Sequence, residues 1–298
     1  MEKKRTGYEA DVGRFRAKST MVDPELDRAP MVQELVARLR FASAQVPMEG
    51  KAVLDYGCGT GLALQWLNLH SPPARAVGLD ISDGAISFAR RYFPGFEFRV
   101  MDIETPCPDL REHFDVALCF EVLEHLHTPG DALGHVAGHY LKADGILVVT
   151  TPNRMVFSGG QEPSPINRTH VHEMDLTEFT ELLHRHFREV ELWGMRFRDP
   201  NQTVAHARMI RHACDGSRLL GNLWWNPTVS RFYRWIWRGG LWHFLRAWHH
   251  FRWRATDFEF IGDTSQIGET AIWFLAFASK QVLSSSLTVT NCATRLRW

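Results

Sequence analysis

The sequence predicts an α/β fold: a doubly wound, mainly parallel sheet of seven strands, with a helical insertion before the last strand. Three observations carry this expectation. Apolar runs of strand length alternate with helical patterns from Ala52 to Val190, which is the signature of βαβ units. One of those runs passes directly into the glycine-rich stretch Gly57-Cys58-Gly59-Thr60-Gly61, which opens a helix. The span from Phe197 to Thr270 is too long for a hairpin loop, so it must carry structure of its own before the last strand.

In chain order, Pro30–Ala44 reads as a helix beside the sheet. Strands are expected at Ala52–Leu54, Ala76–Leu79, Phe96–Val100, Val116–Phe120, Ile146–Thr150, Val190–Trp193 and Ala271–Ser279. Helices are expected at Gly61–Leu69, Gly84–Phe93, Pro129–Leu141 and Leu176–Phe187. Thr128 caps the third of these and Pro129 occupies its first position. Asp175 and Glu178 give the fourth a capping-box spacing. Gly145 stops a helix ahead of the buried run Ile146-Leu147-Val148-Val149. The organisation is thus an N-terminal helical segment (1–49), a core (50–196), an aromatic and basic insertion (197–270), a last core strand (271–280) and a Ser/Thr-rich tail (281–298) that is expected to be poorly ordered. There is no internal repeat.

The glycine-rich turn carries the chemistry. Glycine tolerates φ > 0 and lets a ligand approach the backbone closely. Asp80 ends the second strand at about the spacing expected of an acid that accepts from ribose hydroxyls. Asp102 follows the third strand, where it could meet an adenine amino group, with Met101 or Ile103 against the ring. Dinucleotide folds favour GxGxxG and set a pyrophosphate at the helix N-terminus. Here the glycines fall at Gly57, Gly59 and Gly61, and the acid Asp55 precedes them. A negative side chain beside the turn suits a ligand with an ammonium group and no phosphate, and S-adenosylmethionine is such a ligand. A nicotinamide-dependent oxidoreductase fits this spacing poorly.

Residues 50–195 resemble the class I S-adenosylmethionine-dependent methyltransferases, which are Rossmann-like. They resemble especially the subgroup containing ubiquinone-type O-methyltransferases and bacterial sugar methyltransferases. The matching motifs are Val53–Gly61, Gly78–Ser82, Asp102–Ile103, Asp115–Leu126 and Gly145–Asn153. The resemblance implies that Asp55, Gly57, Gly59, Asp80, Asp102 and Ile103 line the cofactor site, with Cys58, Gly61, Ile81 and Glu121 in the same set.

Strand four runs into Phe120-Glu121-Val122-Leu123-Glu124-His125. One reading is a helix start whose carboxylates favour the positive end of the dipole, with a solvated histidine. The other is a cluster of ligands or bases. In ubiquinone-type and RNA terminal 2′-O-methyltransferases a similar Glu-x-x-Glu-His binds a divalent metal, and the RNA enzymes add a later histidine. Thr169-His170-Val171-His172-Glu173 occupies that later region here. The expected metal set is Glu121, Glu124, His125 and His172, holding Mg2+ or Mn2+. Without a metal, His125, His170 or His172 would be the general base. Methyltransferases acting on exocyclic or amide nitrogen often carry an Asn/Asp-Pro-Pro-aromatic motif after strand four. Phe120-Glu121-Val122-Leu123 stands there instead, which favours an oxygen acceptor.

Seven of the 11 tryptophans lie between Trp224 and Trp253, and no Asp or Glu occurs from Gly216 to Thr256. Val229, Phe232, Tyr233 and Ile236 share one helical face, and Leu241, Phe244, Leu245, Trp248 and Phe251 share another, with Gly239-Gly240 between. Such helices suit a lid packed on the core or on a second subunit, a membrane surface contacted through 224–253, or a single nucleic-acid strand. The formal net charge of +0 argues neither for nor against a polyanionic partner, and nucleic acid is the least favoured of the three readings. Five dispersed cysteines without a CxxC pair suit a reducing compartment. No run approaches the roughly 18 apolar residues of a membrane span. The expectation is a cytoplasmic protein, peripheral at a membrane surface if the insertion serves that purpose. Its expected activity is O-methylation of a hydroxyl on a saccharide, quinone-like or lipid-linked acceptor. RNA terminal 2′-O-methylation and a non-catalytic cofactor-binding partner are the alternatives, and oligomeric state stays open.

Overall fold

The computed structural model describes residues 23–27, 30–106, 114–162, 169–203 and 254–281. The first helix, α1, is Pro30–Gln45. The alternation that follows is β1 (Ala52–Tyr56), α2 (Leu62–His70), β2 (Arg75–Asp80), α3 (Asp83–Tyr92) and β3 (Glu97–Val100). Next come β4 (Phe114–Phe120), α4 (Pro129–His135), β5 (Leu141–Pro152), the short α5 (Arg154–Phe157), α6 (Leu176–His184) and β6 (Glu189–Phe197). The chain closes with β7 (Phe258–Ile261), α7 (Thr264–Thr270) and β8 (Trp273–Ser279).

All eight strands join one sheet in the order β3-β2-β1-β4-β5-β8-β6-β7. Strands β1 to β5 pair in parallel, whereas β8 runs antiparallel to both β5 and β6, and β7 antiparallel to β6. The seven-stranded expectation is therefore corrected by one strand, β7, inside the stretch read as wholly helical. Phe258-Glu259-Phe260-Ile261 is too short to register as a strand by itself. It is held by pairing with Gly194–Phe197 and by Phe260, whose ring stacks on Phe41 of α1 at 3.9 Å. Helix α7, capped by the Asp263 side chain on the Ser265 amide, lies in the same stretch. The two aromatic helices expected at 229–236 and 241–251, and the tail beyond Gln281, lie outside the described residues.

Local chemistry explains the elements. Val53 packs on one side of the sheet and Leu54 on the other, because successive strand residues face opposite ways. Val53, Val116 and Val148 share a layer with Val32, Val36 and Leu39 of α1 and with Trp66 of α2. Leu54, Ala117 and Leu147 share the other layer with Leu133 of α4 and Phe179 of α6. Both layers are buried, so the sheet is covered on both faces, as doubly wound sheets require. The capping box of Asp175 and Glu178 is formed in full at α6. The helical run expected at Pro129–Leu141 continues from α4 through a wider helical turn at Val136–Tyr140, and β5 begins before Gly145 rather than after it. A Cβ at Gly145 would lie 2.9 Å from the Phe114 carbonyl oxygen, so that position admits only glycine.

Because β6 runs parallel to β5, the C-terminal ends of β1, β2, β4, β5 and β6 share one edge, where open α/β sheets bind ligands. The chain leaves β6 at Phe197 and re-enters β7 at Phe258, which are paired to each other at that same edge. Among the described residues no helix is long and apolar enough to cross a membrane.

Candidate active site

The turn after β1 is built from three left-handed glycines, Gly57 (φ 85°), Gly59 (φ 52°) and Gly61 (φ 81°). The amides of Gly57 and Cys58 both donate to the Leu79 carbonyl at 2.8 Å, which pins the turn to β2. A Cβ on Gly57 would collide with the Val122 side chain, whereas one on Gly59 would meet nothing within 4 Å. The turn is thus pressed closely against the end of β4, with open space at its middle. Space of that kind can admit a ligand.

Asp80, at the end of β2, is 3% exposed. Its two oxygens accept from the amides of Gly59 and Ser82, each at 2.8 Å. Burial pushes its carboxyl above the usual range, and those two hydrogen bonds oppose the shift. A carboxylate has about four lone-pair sites, so capacity remains for ribose hydroxyls. Asp55 is 4% exposed, and its Oδ2 has no hydrogen-bond partner. Burial, with the Asp80 charge adding to it, pushes the Asp55 carboxyl up to about 7. A buried carboxylate oxygen left unpaired is costly unless something cationic occupies the site. Asp102 accepts from the Glu104 amide at 3.1 Å, and Ile103 is buried with its carbonyl receiving the Tyr56 hydroxyl. Ile81 is exposed, and Cys58 is buried with its thiol pushed well above the usual range by burial.

Beyond β4, Glu124, His125 and His170 bring their ligand atoms within 4.8 Å of one another. Glu124 is fully buried. One of its oxygens accepts from Thr151 Oγ1 at 3.2 Å and Oε1 has no partner. Burial, then the Glu121 charge, pushes its carboxyl well up. His125 Nδ1 lies 3.1 Å from the Thr169 carbonyl, so that nitrogen carries the hydrogen and Nε2 keeps its lone pair. Burial, then the neighbouring His170, lowers His125 to about 4, so it is neutral near pH 7. His170 Nδ1 lies 2.6 Å from Glu173 Oε1, and the His125 and His170 rings meet edge-on at 4.8 Å.

Two members of the expected metal set stand elsewhere. His172 turns outward to Glu162, 2.6 Å from its Nδ1, because the amides of Val171 and His172 both donate to the Glu124 carbonyl and fix the direction of the loop. Glu121 faces α1, where its Oε1 lies 3.5 Å from Arg38 Nη2. The residue that joins Glu124 and His125 is His170.

Three contributors escaped the sequence reading. Glu173 was legible in principle, through its spacing three residues after His170. Arg38 and Glu34 were not, since Glu34 and Arg38 on one helix look like an ordinary surface ion pair. Arg38 is 3% exposed, its guanidinium lies over the Trp273 ring at 5.1 Å, and its Nε and Nη2 make no hydrogen bond. Asp55 Oδ2 and the Nε and Nη2 of Arg38 are buried polar atoms without a hydrogen-bond partner, an acceptor and donors of the kinds that suit a zwitterionic amino-acid group.

Residues 27–192 match the family described as a methyltransferase domain. The chain is 33% identical over 143 residues to a protein of Mycolicibacterium smegmatis named "Probable S-adenosylmethionine-dependent methyltransferase", which covers 48% of this chain and 53% of that protein. It is 33% identical over 138 residues to a ubiquinone biosynthesis O-methyltransferase of Xylella fastidiosa, covering 44% of this chain and 54% of that protein. The chain spans about half the length of the curated relatives it matches. Among solved structures it is similar to a Thermotoga maritima protein described as an S-adenosylmethionine-dependent methyltransferase, "possible histamine N-methyltransferase". That likeness has a TM-score of 0.53 at 14% identity over 85% of this chain and 91% of the other, and it concerns the fold alone.

Proposed function

The chain belongs to the methyltransferase-domain family, and from that premise we propose that it is an S-adenosylmethionine-dependent enzyme that methylates a hydroxyl oxygen. The observation that carries the cofactor is a buried acceptor and a buried set of donors without hydrogen-bond partners, Asp55 Oδ2 and the Nε and Nη2 of Arg38. The methionine end of S-adenosylmethionine has one ammonium and one carboxylate to match them. Gly59 leaves room beside the turn, Asp80 has acceptor capacity for the ribose, and Asp102 and Ile103 flank the place for the adenine.

When bound, the cofactor supplies an electrophilic methyl group on a sulfonium. The chain must hold the acceptor in line and take its proton. His170 is the base in this reading. Its Nδ1–H is committed to Glu173, which leaves Nε2 to receive the hydroxyl proton. Glu173 orients that ring and stabilises the imidazolium that forms. His125 is the neutral neighbour that confines the acceptor.

A second reading has a specific observation behind it. The unpaired Glu124 Oε1 with His125 and His170 is a carboxylate and two-imidazole set, and both rings have an engaged Nδ1 that would orient a metal ligand. Such a set suits Mn2+ better than the oxygen-preferring Mg2+. A metal there would acidify the acceptor hydroxyl and make His170 a ligand rather than a base.

For the acceptor, the similarity to a ubiquinone biosynthesis O-methyltransferase supports oxygen, as does the absence of a nitrogen-type motif after β4. A saccharide, quinone-like or lipid-linked hydroxyl is the class proposed. RNA terminal ribose and a non-catalytic role remain alternatives that turnover separates. Peripheral contact with a membrane surface through 224–253 belongs to this proposal and rests on the sequence of that segment. The test is transfer of isotope-labelled methyl from S-adenosylmethionine into host extract fractionated into lipid, glycan, RNA, protein and small-molecule pools. Label in one pool identifies the acceptor class. Label in none, with cofactor binding confirmed by calorimetry, overturns the enzymatic reading.

A further inference from the structure

Glu121 is the one non-glycine residue with a left-handed backbone among those described, at φ 55°. A side chain pays free energy for that conformation, which persists only where the surroundings impose it. They do so here from two sides. The Glu121 amide donates to the Thr150 carbonyl and reaches Thr150 Oγ1, both at 3.2 Å, and Thr150 Oγ1 in turn donates to Glu121 Oε1 at 2.9 Å. The next residue, Val122, is wedged against Gly57 of the cofactor turn.

The left-handed turn aims the Glu121 carboxylate at α1. There it meets Arg38, whose buried guanidinium rests over Trp273 at the ligand edge of the sheet. A rival partner stands close by. Glu34 is one turn earlier on α1, at the spacing and in the order that favour a pair with Arg38. The charges of Arg38 and Glu121 both act on the Glu34 carboxyl, which burial pushes up to about 7. The ion pair that Arg38 makes is nevertheless with Glu121, at 3.5 Å and without a hydrogen bond, so its donors stay available.

We propose that Glu121 is a positioning residue, which holds the Arg38 guanidinium away from Glu34 and presents it to the carboxylate of S-adenosylmethionine. The inference rests on the cofactor reading above and goes beyond it, because Glu121 then acts through Arg38 and coordinates nothing itself. The backbone strain at Glu121 is the cost of aiming its carboxylate across the sheet edge at α1. Without that carboxylate, Arg38 falls back along its own helix onto Glu34, and recognition of the amino-acid end is lost while recognition of the nucleoside end is kept.

Two ligands and two variants test this by calorimetry on the full chain. S-adenosylhomocysteine carries the amino-acid end, whereas 5′-methylthioadenosine is a nucleoside thioether without it. E121G relieves the left-handed backbone and removes the carboxylate, so it folds with an unchanged or raised melting temperature. Its affinity for S-adenosylhomocysteine is expected to fall by about tenfold or more, with 5′-methylthioadenosine held within about twofold. E121Q, which keeps the side-chain length but loses the charge, falls between. Equal losses for both ligands in E121G would mean that Glu121 only shapes the turn, and unchanged S-adenosylhomocysteine affinity would mean that Arg38 needs no such support. Either result overturns the proposal. Failure of the wild-type chain to bind either ligand would instead overturn the cofactor reading beneath it.

Discussion

His170 and Glu173 form a 2.6 Å hydrogen bond between two buried side chains, with Nδ1 of the imidazole on one carboxylate oxygen. This pairing fixes the tautomer of the ring, so that Nε2 is the nitrogen that keeps its lone pair.

H170A is expected to lower kcat by about 10²–10⁴-fold, the usual worth of a positioned general base, with S-adenosylhomocysteine affinity unchanged. E173Q should lower kcat by a smaller factor, because the amide still packs but no longer stabilises the imidazolium. Steady-state kinetics paired with calorimetry separate the two parameters. A loss of cofactor affinity that matched the loss of turnover would show that these residues shape the fold rather than the chemistry.

The Asp55 carboxyl is raised from its ordinary value to about 7, so its ionised form is disfavoured in the folded, ligand-free protein. The sign follows from the proton count. Between the unfolded value near 4 and about 7 the folded state binds the extra proton, so stability falls as pH rises through that window and levels off above it. D55N removes the penalty. Relative to wild type it is expected to gain melting temperature at pH 8 and little at pH 4.5, with an upper bound of about 4 kcal/mol. The same variant should bind S-adenosylmethionine more weakly. A pH-independent difference in melting temperature would remove Asp55 as the titrating group.

D80A is expected to weaken S-adenosylhomocysteine binding by roughly 1.5–3 kcal/mol, since it removes hydrogen bonds to a charged group. It also frees the amides of Gly59 and Ser82 that hold the turn in place. An unchanged titration would take Asp80 out of the site.

Turnover is expected to persist after exhaustive chelation, because the base reading needs no ion. Activity lost in chelator and restored by manganese would transfer the assignment to the Glu124, His125 and His170 metal set. E124Q and H125A should then abolish the restoration.

Vesicle co-sedimentation addresses the tryptophan-rich segment. The membrane reading expects the chain to sediment with anionic vesicles at low salt, and the joint replacement of Trp235, Trp237 and Trp248 to abolish this. A wild-type chain that stays in the supernatant would sink it.

Much of the scaffold was readable in one dimension because its causes are local. Apolar runs of strand length between helical patterns marked the parallel strands, and the spacing of Gly57, Gly59 and Gly61 marked a turn that needs positive φ. Asp55 and Asp80 stood out because each ends or nearly ends an apolar run, and the sheet puts both at the ligand edge. The short strand β7 was hidden, since four residues carry too little pattern and its pairing with β6 comes from tertiary structure.

The amino-acid sequence alone determined the class of fold, the strand order along the chain and the position of the glycine-rich turn, all of which follow from apolar runs alternating with helical patterns and from glycine backbone freedom. Which histidine joins Glu124 was settled only in three dimensions. His170 and His172 are two residues apart, and the hydrogen bonds from their loop to the Glu124 carbonyl turn one inward and the other out to Glu162. Tertiary structure likewise decided the partner of Glu121. Arg38 lies far away in sequence on a helix that looked merely supportive, and folding brings its buried cation to the edge where the strands end. Contacts between distant segments depend on how helices pack on the sheet, and no local pattern encodes that.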